Sequence, residues 1–401
     1  MGRVGTLCFI ALIACAATVE AATDSLTAVR VIEMARDRAP EVLLARSRVK
    51  EASGRLGAAG ILHAENPTIE GTAGLDDRFE RRTQWELTVP FDPGWARRGR
   101  TRIARAELER EEFLRADVTQ RAIGAALQAY YRALHARDHL EIARRRFAVA
   151  ERVKSAAADR HRSGDVARMD LLLAETELAR AASDVRMGEH AFSRASTDLR
   201  IVLGLSLDSG RHVSGELADR AVLERAGSPD PNTPAVLAAE RELAAADAQR
   251  GQARTAVLPN VAFRLDYGHE SGVAVARPGL ALTVPLFNAG QEERVAARAR
   301  AERAEIELET RRAAAKAERE GTETAYQAAR AAAVDLGRDG IPQSREVEAM
   351  AEDGYRAGKI NLTSLLQVRR EVLETQREYV DRLLDAALAA IDRAVANGTW
   401  R

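Results

Sequence analysis

Few residues in this chain have types and spacings that could support chemistry. His135 and His139 stand four positions apart on a predicted helix, which places both imidazoles on one face at a spacing that can bind a metal ion. No third ligand is close to them in the sequence. We therefore interpret them as ordinary histidines on a helix surface and predict no metal site.

Other catalytic patterns are absent from the sequence. It contains no phosphate-binding loop, no nucleophile elbow and no zinc-protease motif. Paired carboxylates such as Glu111 and Glu112 are expected to be solvated or to pair with arginines at helical spacing. The formal net charge of +0 gives no argument for a nucleic-acid partner. We predict that the protein is not an enzyme, uses no cofactor and does not bind nucleic acid.

The N-terminus has the features of a secretory signal. Arg3 precedes an apolar run over 4–14, and both cysteines of the chain, Cys8 and Cys15, lie in this part. Two processing routes remain open. Ordinary cleavage after Ala21 would remove a signal peptide over 1–21, whereas a lipoprotein signal would leave a lipidated Cys15. No later segment has about 18 consecutive apolar residues, so we predict no membrane-spanning helix.

Four segments alternate apolar and polar residues with the period of two that is typical of β-strands. They form two predicted hairpins, with strands at about 66–76 and 81–91 and at about 259–269 and 277–288. We expect the apolar face to contact lipid and the polar face to line a water-filled lumen. The lipid-facing set is Trp85, Leu87, Val89, Phe263 and Leu282, and the lumen-facing set is Glu86, Arg264 and Asp266.

The pattern of helix, hairpin, long helix and returning helix occurs twice. Prolines and glycines recur in the same order at a spacing of roughly 192–195 residues. The matching pairs are Pro40 with Pro234, Pro67 with Pro259, Pro90 with Pro285 and Gly164 with Gly358. Repeat 1 covers 24–205, with helices over about 97–162 and 166–203, and repeat 2 covers 234–398, with helices over about 289–356 and 361–396. A linker over 206–233 joins them, and Gly337, Gly340 and Pro342 predict a kink in the second long helix.

The four predicted strands cannot close a sheet within one chain. An open sheet has two edges that tend to pair with other chains, and in lipid its unpaired groups would be especially costly. Three copies would supply 12 strands, which is even and within the range of outer-membrane barrels. The fold class that we predict is mainly α-helical with a membrane β-barrel, in which a trimer forms a 12-stranded β-barrel and a long periplasmic α-helical barrel. A periplasmic coiled-coil scaffold or adaptor remains the alternative.

Two helix junctions carry a resemblance to a known family. The first reads Arg162-Ser163-Gly164-Asp165 and is followed by Met169-Asp170-Leu171-Leu172, and the second reads Gly354-Tyr355-Arg356-Ala357-Gly358-Lys359 and is followed by Leu365-Leu366. Together with the repeated prolines, they resemble the hairpin tips of the TolC-like outer-membrane efflux proteins over nearly the whole mature chain. The segment Tyr355-Arg356-Ala357-Gly358-Lys359-Ile360 resembles the heavy-metal efflux branch of this family.

The resemblance implies a homotrimer in the bacterial outer membrane that extends into the periplasm and docks to a periplasmic adaptor and an inner-membrane pump. It implies a passive exit duct for metal ions or small toxic compounds, with a type I protein secretion channel as an alternative, and it places the linker in a belt around the helical barrel. The tip residues implied to gate the entrance and contact the adaptor are Arg162, Gly164, Asp165, Asp170, Tyr355, Gly358 and Lys359. Ser364 and Gln367 occupy positions where many relatives carry aspartate, so we do not expect a strong cation-binding ring.

Overall fold

The computed structural model describes residues 25–62, 65–75, 81–92, 94–206, 212–219, 223, 232–270 and 273–400. The predicted signal segment 1–21, including Cys15, lies outside these ranges. The mainly helical fold is confirmed. The helices are α1 (Ala28–Arg38), α2 (Pro40–Ala59), α3 (Gly94–Arg162), α4 (Arg168–Val202), α5 (Pro234–Ala253), α6 (Gln291–Asp335), α7 (Ile341–Arg356) and α8 (Leu362–Ala396). The strands are β1 (Ser25–Leu26), β2 (Thr68–Leu75), β3 (Arg81–Phe91), β4 (His212–Val213), β5 (Asn260–Glu270) and β6 (Val273–Thr283).

The chain divides into two compact units. The first, which we call the helical unit, consists of Met1–Leu43, Val118–Pro231 and Lys316–Arg401. The second, which we call the hairpin unit, consists of Leu44–Asp117 and Asn232–Ala315. Each unit therefore takes segments from both sequence repeats, so the sequence repeats are not separate folding units.

The core of the helical unit is a cluster of apolar side chains from both repeats. Ile123, Leu127 and Leu134 of α3 are fully buried in it, and Ile391 of α8 packs in the same cluster. The two helices come very close at Gly124, where an added Cβ would lie 2.6 Å from Val395 Cγ2. Small residues allow this approach, since Ala386, Ala387 and Ala390 of α8 are also buried in the cluster.

A short parallel sheet closes one side of this core. Strand β1 pairs with β4, with Ser25 opposite His212. Tyr130 donates its hydroxyl to the Ser214 carbonyl at 2.7 Å, and burial raises the pKa of that hydroxyl to about 12. Tyr131 donates to the Asp219 carbonyl at 2.9 Å. The described part of the predicted linker therefore packs on α3 instead of hanging free.

The hairpin unit contains one antiparallel sheet in the order β2-β3-β5-β6. Strands β3 and β5 come from different repeats and pair directly, with Leu87 opposite Leu265. This register places the apolar alternation of all four strands on one face. Gly71 leaves room there for the ring of Trp85, since a Cβ at Gly71 would lie 2.8 Å from that ring. The apolar face carries Ile69, Trp85, Leu87, Val89, Phe91, Val261, Phe263, Leu265, Tyr267, Leu280 and Leu282.

The predicted lumen-facing side chains lie together on the opposite face. Glu86 is directly across from Asp266 in the β3–β5 pair. Arg264 forms an ion pair with Glu86 and reaches Asp266 Oδ2 at 3.3 Å with its Nε. An arginine between two carboxylates offsets their mutual repulsion on neighbouring strands.

The last strand differs from the prediction of 277–288. It covers Val273–Thr283, so it begins earlier and ends earlier. Pro285 has no N–H to donate to a strand ladder, and the Leu286 N–H donates to the Val284 carbonyl at 2.9 Å, which turns the chain away. The prediction places the loop of the hairpin at 270–276, but residues 273–276 pair with β5, with Val273 opposite Glu270. Pro278 is tolerated because β6 is an edge strand.

The second long helix is modified where a kink was expected. It is α6, then a single π-helical stretch over Leu336–Gly340, then α7, where the prediction had one helix over 289–356. Pro342 lacks the N–H of a regular turn, and a π-bulge is one way in which a helix accommodates that loss. A Cβ at Gly337 would lie 2.8 Å from Tyr379 Cε2, so the ring of Tyr379 packs directly on this glycine.

No helix within the described ranges combines the length and the apolar character that crossing a membrane as a helix requires.

Candidate functional site

The end of α3 is the first predicted hairpin tip. Gly164 has a left-handed φ of 82°, and the Asp165 N–H donates to the Arg160 carbonyl at 2.8 Å. The Gly164 N–H donates to the His161 carbonyl at 3.1 Å. These bonds form a Schellman motif, which ends a helix at a residue in the left-handed conformation. Glycine adopts that conformation without strain. The tip is therefore a compact reversal with its last carbonyls satisfied.

The end of α7 repeats this geometry. Gly358 has a φ of 69°, and the Lys359 N–H donates to the Gly354 carbonyl at 2.8 Å. The next helix, α8, begins after Asn361, whose side chain accepts the Ser364 N–H at 2.8 Å as an N-cap. The two glycines thus occupy the same structural position in the two repeats, where their sequence spacing placed them.

One contact joins the two tips directly. Arg160 Nη1 donates to the Tyr355 hydroxyl at 3.3 Å, and the Arg160 Cζ lies 5.8 Å from the centroid of the Tyr355 ring. That distance is within the range of a cation–π interaction. Tyr355 is among the predicted tip residues, whereas Arg160 was missed because only the folded chain brings it across from the second tip.

The other predicted tip residues make local contacts. Arg162 pairs with Asp159 on its own helix. Asp165 accepts the Ser163 hydroxyl at 3.1 Å. Asp170 lies in the first turn of α4, where a carboxylate is favoured by the helix dipole. Lys359 is exposed beside Gly358. The roles of these residues in gating and docking stay predictions.

The start of α4 exposes apolar side chains next to the first tip. Met169 is 66% exposed, and Leu172 and Leu173 are also exposed. The side chains that α4 buries are others, namely Ala174, Ala181 and Leu199. The exposed side chains provide an apolar surface that a partner could cover.

The two histidines that the sequence singled out gain a third neighbour. Asp381 of α8 lies beside both, with its Oδ1 at 2.7 Å from His135 Nε2 and 2.9 Å from His139 Nε2. Burial lowers the pKa of His139, the nearby His135 lowers it further, and these effects outweigh the hydrogen bond to Asp381. Sequence spacing could not reveal this neighbour, because it is 242 positions from His139.

Comparisons with known proteins agree with this architecture. The family described as "Outer membrane efflux protein" matches residues 31–205 and 231–397. The pyoverdine export outer membrane protein OpmQ of Pseudomonas putida is 26% identical over 408 residues, covering 93% of this chain and 86% of that protein. The cobalt-zinc-cadmium resistance protein CzcC of Cupriavidus metallidurans is 24% identical over 345 residues, covering 83% of this chain and 82% of that protein.

A solved structure shares the fold. The CmeC outer membrane channel of Campylobacter jejuni superposes with a TM-score of 0.74 at 14% identity, over 93% of this chain and 86% of that channel. At this level of identity the likeness concerns the fold alone.

Proposed function

This chain belongs to the outer membrane efflux protein family, and on that premise we propose that it is the outer-membrane exit duct of a tripartite efflux system. The observation that carries the proposal is the amphipathic four-stranded sheet of the hairpin unit. Its apolar face is exposed, with Phe263 43% and Leu280 76% exposed, while its other face holds the Arg264 ion pairs. A soluble protein would cover such a face, whereas lipid covers it in an outer-membrane protein.

Three copies complete the sheet in this proposal. Among the described strands, none pairs with the outer edge of β2 or of β6. Three antiparallel steps separate β2 from β6, so β6 of one copy can pair antiparallel with β2 of the next. A closed ring of 12 strands from three copies then satisfies every edge. The lumen face would carry Glu86, Arg264 and Asp266 from each copy.

The hairpin tips are the proposed site of adaptor docking and gating. Exposed apolar residues at the start of α4 lie beside charged ones, and this mixture suits a protein partner. The residues that we assign to docking and gating are Arg162, Gly164, Asp165, Asp170, Tyr355, Gly358 and Lys359, together with Arg160. An inner-membrane pump would supply the substrate and the energy, and the duct would perform no chemistry.

Metal ions or small toxic compounds are the proposed cargo. Support comes from the metal-resistance relative CzcC and from the export relative OpmQ, which show that related ducts serve different substrates. The pump would select among them, because a duct accepts what the pump delivers.

The gating contact can be tested by the conductance of the purified protein in planar lipid bilayers. Arg160→Ala removes the contact with Tyr355, which is worth about 0.5–1 kcal/mol. If each copy loses a contact that stabilises the closed entrance, the ratio of open to closed channels should rise about two- to five-fold per copy of the trimer. Tyr355→Phe keeps the ring and should have a smaller effect.

Arg144→Ala is the matched control for this experiment. It also removes an arginine from α3 and breaks an exposed ion pair, with Glu189 at 3.0 Å, but it does not involve the second tip. Equal conductance changes in Arg160→Ala and Arg144→Ala would contradict a gating role of the contact between the tips. A protein that forms no channel at all would contradict the exit duct itself.

A further inference from the structure

Three potential metal ligands meet between α3 and α8 of the helical unit. The coordinating atoms of His135, His139 and Asp381 lie within 4.8 Å of one another. The histidines are one helical turn apart, and their ring centroids are 4.3 Å apart, so both rings project from the same face of α3. Asp381 approaches from α8, so the ligands come from two helices that are far apart in the sequence.

The separations suit a tetrahedral ion of the zinc class. Zn²⁺ binds histidine nitrogen and carboxylate oxygen at about 2.0–2.2 Å, which places neighbouring ligand atoms roughly 3.3 Å apart. Both imidazole nitrogens are already within 3 Å of one carboxylate oxygen, at 2.7 and 2.9 Å. Small side-chain rotations would lengthen these two separations to the spacing that the ion requires.

The surroundings allow an ion to enter and to keep further ligands. The side chain of Asp381 is 53% exposed, so the group opens to solvent and water can complete the coordination. Arg377 lies one turn before Asp381 on α8, close enough to act electrostatically on His139. Its guanidinium donates to Asp184 at 3.1 Å.

We propose that His135, His139 and Asp381 bind a divalent transition-metal ion, of the class of Zn²⁺, which links α3 to α8. Two imidazoles and one carboxylate favour such ions over Mg²⁺ and Ca²⁺, which prefer oxygen ligands. This site is distinct from the hairpin tips and does not depend on the exit-duct function.

The contacts between α3 and α8 show the direction in which the two helices run. Gln128 donates to Asp392 at 2.8 Å, while His135 and His139 meet Asp381, so the contacts advance along α3 as they recede along α8. The helices are therefore antiparallel, and their close approach at Gly124 is on the N-terminal side of the histidines along α3. An ion bound by the histidines would hold the two helices together at a second point, farther toward the C-terminus of α3.

The test is a Zn²⁺ titration by isothermal calorimetry of the purified full chain in mild detergent, after treatment with a chelator. We expect one Zn²⁺ per chain and no saturable binding of Mg²⁺. His135→Gln and Asp381→Asn should each weaken Zn²⁺ binding by about tenfold or more, because losing a ligand should cost at least as much as losing a partner of a ligand. Both substitutions conserve side-chain size and hydrogen-bonding capacity, and circular dichroism would verify that each variant is folded.

His190→Gln is the matched control, since His190 is an exposed histidine on α4. It should bind Zn²⁺ as the unchanged chain does. The proposal is overturned if the unchanged chain shows no saturable Zn²⁺ binding, or if Asp381→Asn binds as tightly as His190→Gln. The same preparations can be assayed for channels in bilayers, so failure of the metal site and failure of the duct are read separately.

Discussion

The two long helices have the same place in the sequence repeats but differ in what they bury. Within the helical unit, α3 buries Ile123, Leu127 and Leu134 completely. The second long helix contributes Tyr326 and Ala333 to the same core, while its Met350 is 68% exposed. One long helix is thus built into the core of its own chain, and the other presents much of its surface outward.

This difference shows that a duplicated pattern does not imply duplicated packing. Both helices are rich in alanine and charged residues, and both contact α8. In addition, α3 contacts the segment after β4 through the hydroxyls of Tyr130 and Tyr131. Apolar side chains that remain exposed on α6 and α7 are then available to neighbouring copies in the proposed trimer. The exposed set includes Ile306, Val334, Val347 and Met350.

The difference between the two helices predicts unequal losses of stability when one large apolar side chain is truncated on each. Leu127→Ala should lower the free energy of unfolding by about 2–5 kcal/mol, because it leaves a cavity in a fully packed core. Met350→Ala removes a similar side chain from the exposed helix and should change the free energy of unfolding of the dissociated monomer by less than about 0.5 kcal/mol. Urea unfolding in mild detergent, followed by tryptophan fluorescence, measures both. Equal losses would contradict the difference between the helices.

The π-helical stretch offers a second test. A Cβ on Gly337 would lie 2.8 Å from Tyr379, so Gly337→Ala should cost about 1–3 kcal/mol through overpacking. Gly321→Ala, in the regular part of α6, has nothing within 4 Å of the new Cβ and should stabilise the helix by about 0.5–1 kcal/mol. Thermal unfolding of the two variants would show shifts of opposite sign. A stabilising Gly337→Ala would mean that the ring of Tyr379 does not pack there.

At the hairpin tips, in contrast, the two repeats have the same backbone geometry. Gly164→Ala and Gly358→Ala each force an L-residue into left-handed backbone, at a cost of about 1–2 kcal/mol. The amides of Asp165 and Lys359 close the two Schellman motifs, so each should exchange hydrogen about five- to thirty-fold faster in the corresponding variant. Asparagine at either position should have a smaller effect, since it tolerates this conformation better. A loss at one tip only would show that the repeats differ there too.

Much of the fold could be predicted from the sequence because it depends on local patterns. Alternation identified the four strands and their polar and apolar faces, and the spacing of Gly164 and Gly358 located two equivalent reversals. The ends of β6 could not be predicted as well. Its start was assigned to the hairpin loop, although Val273 pairs with Glu270 in the folded sheet, and the strand ends before Pro285, which has no N–H to donate. Local preference is decisive only where tertiary pairing does not override it.

The candidate site was predictable only in part. Tyr355, Gly358 and Lys359 were expected because their segment resembles a hairpin tip of the family, but Arg160 becomes relevant only when the two tips meet. Asp381 is an exposed carboxylate in a chain with many, and nothing in its own neighbourhood in the sequence marks it. Contacts between residues about 200 positions apart require the folded chain, in which α3 lies antiparallel to α8.

The proposed duct requires three copies of this chain in the outer membrane. Membrane fractionation of cells that express the full chain, followed by native mass spectrometry in mild detergent, tests this requirement most directly. We predict that the protein is found in the outer-membrane fraction with three times the mass of one processed chain, and that this mass also distinguishes a lipidated Cys15 from cleavage after Ala21. A soluble periplasmic monomer would contradict the proposed duct, because the apolar face of the sheet would then have to be covered without lipid and without other copies.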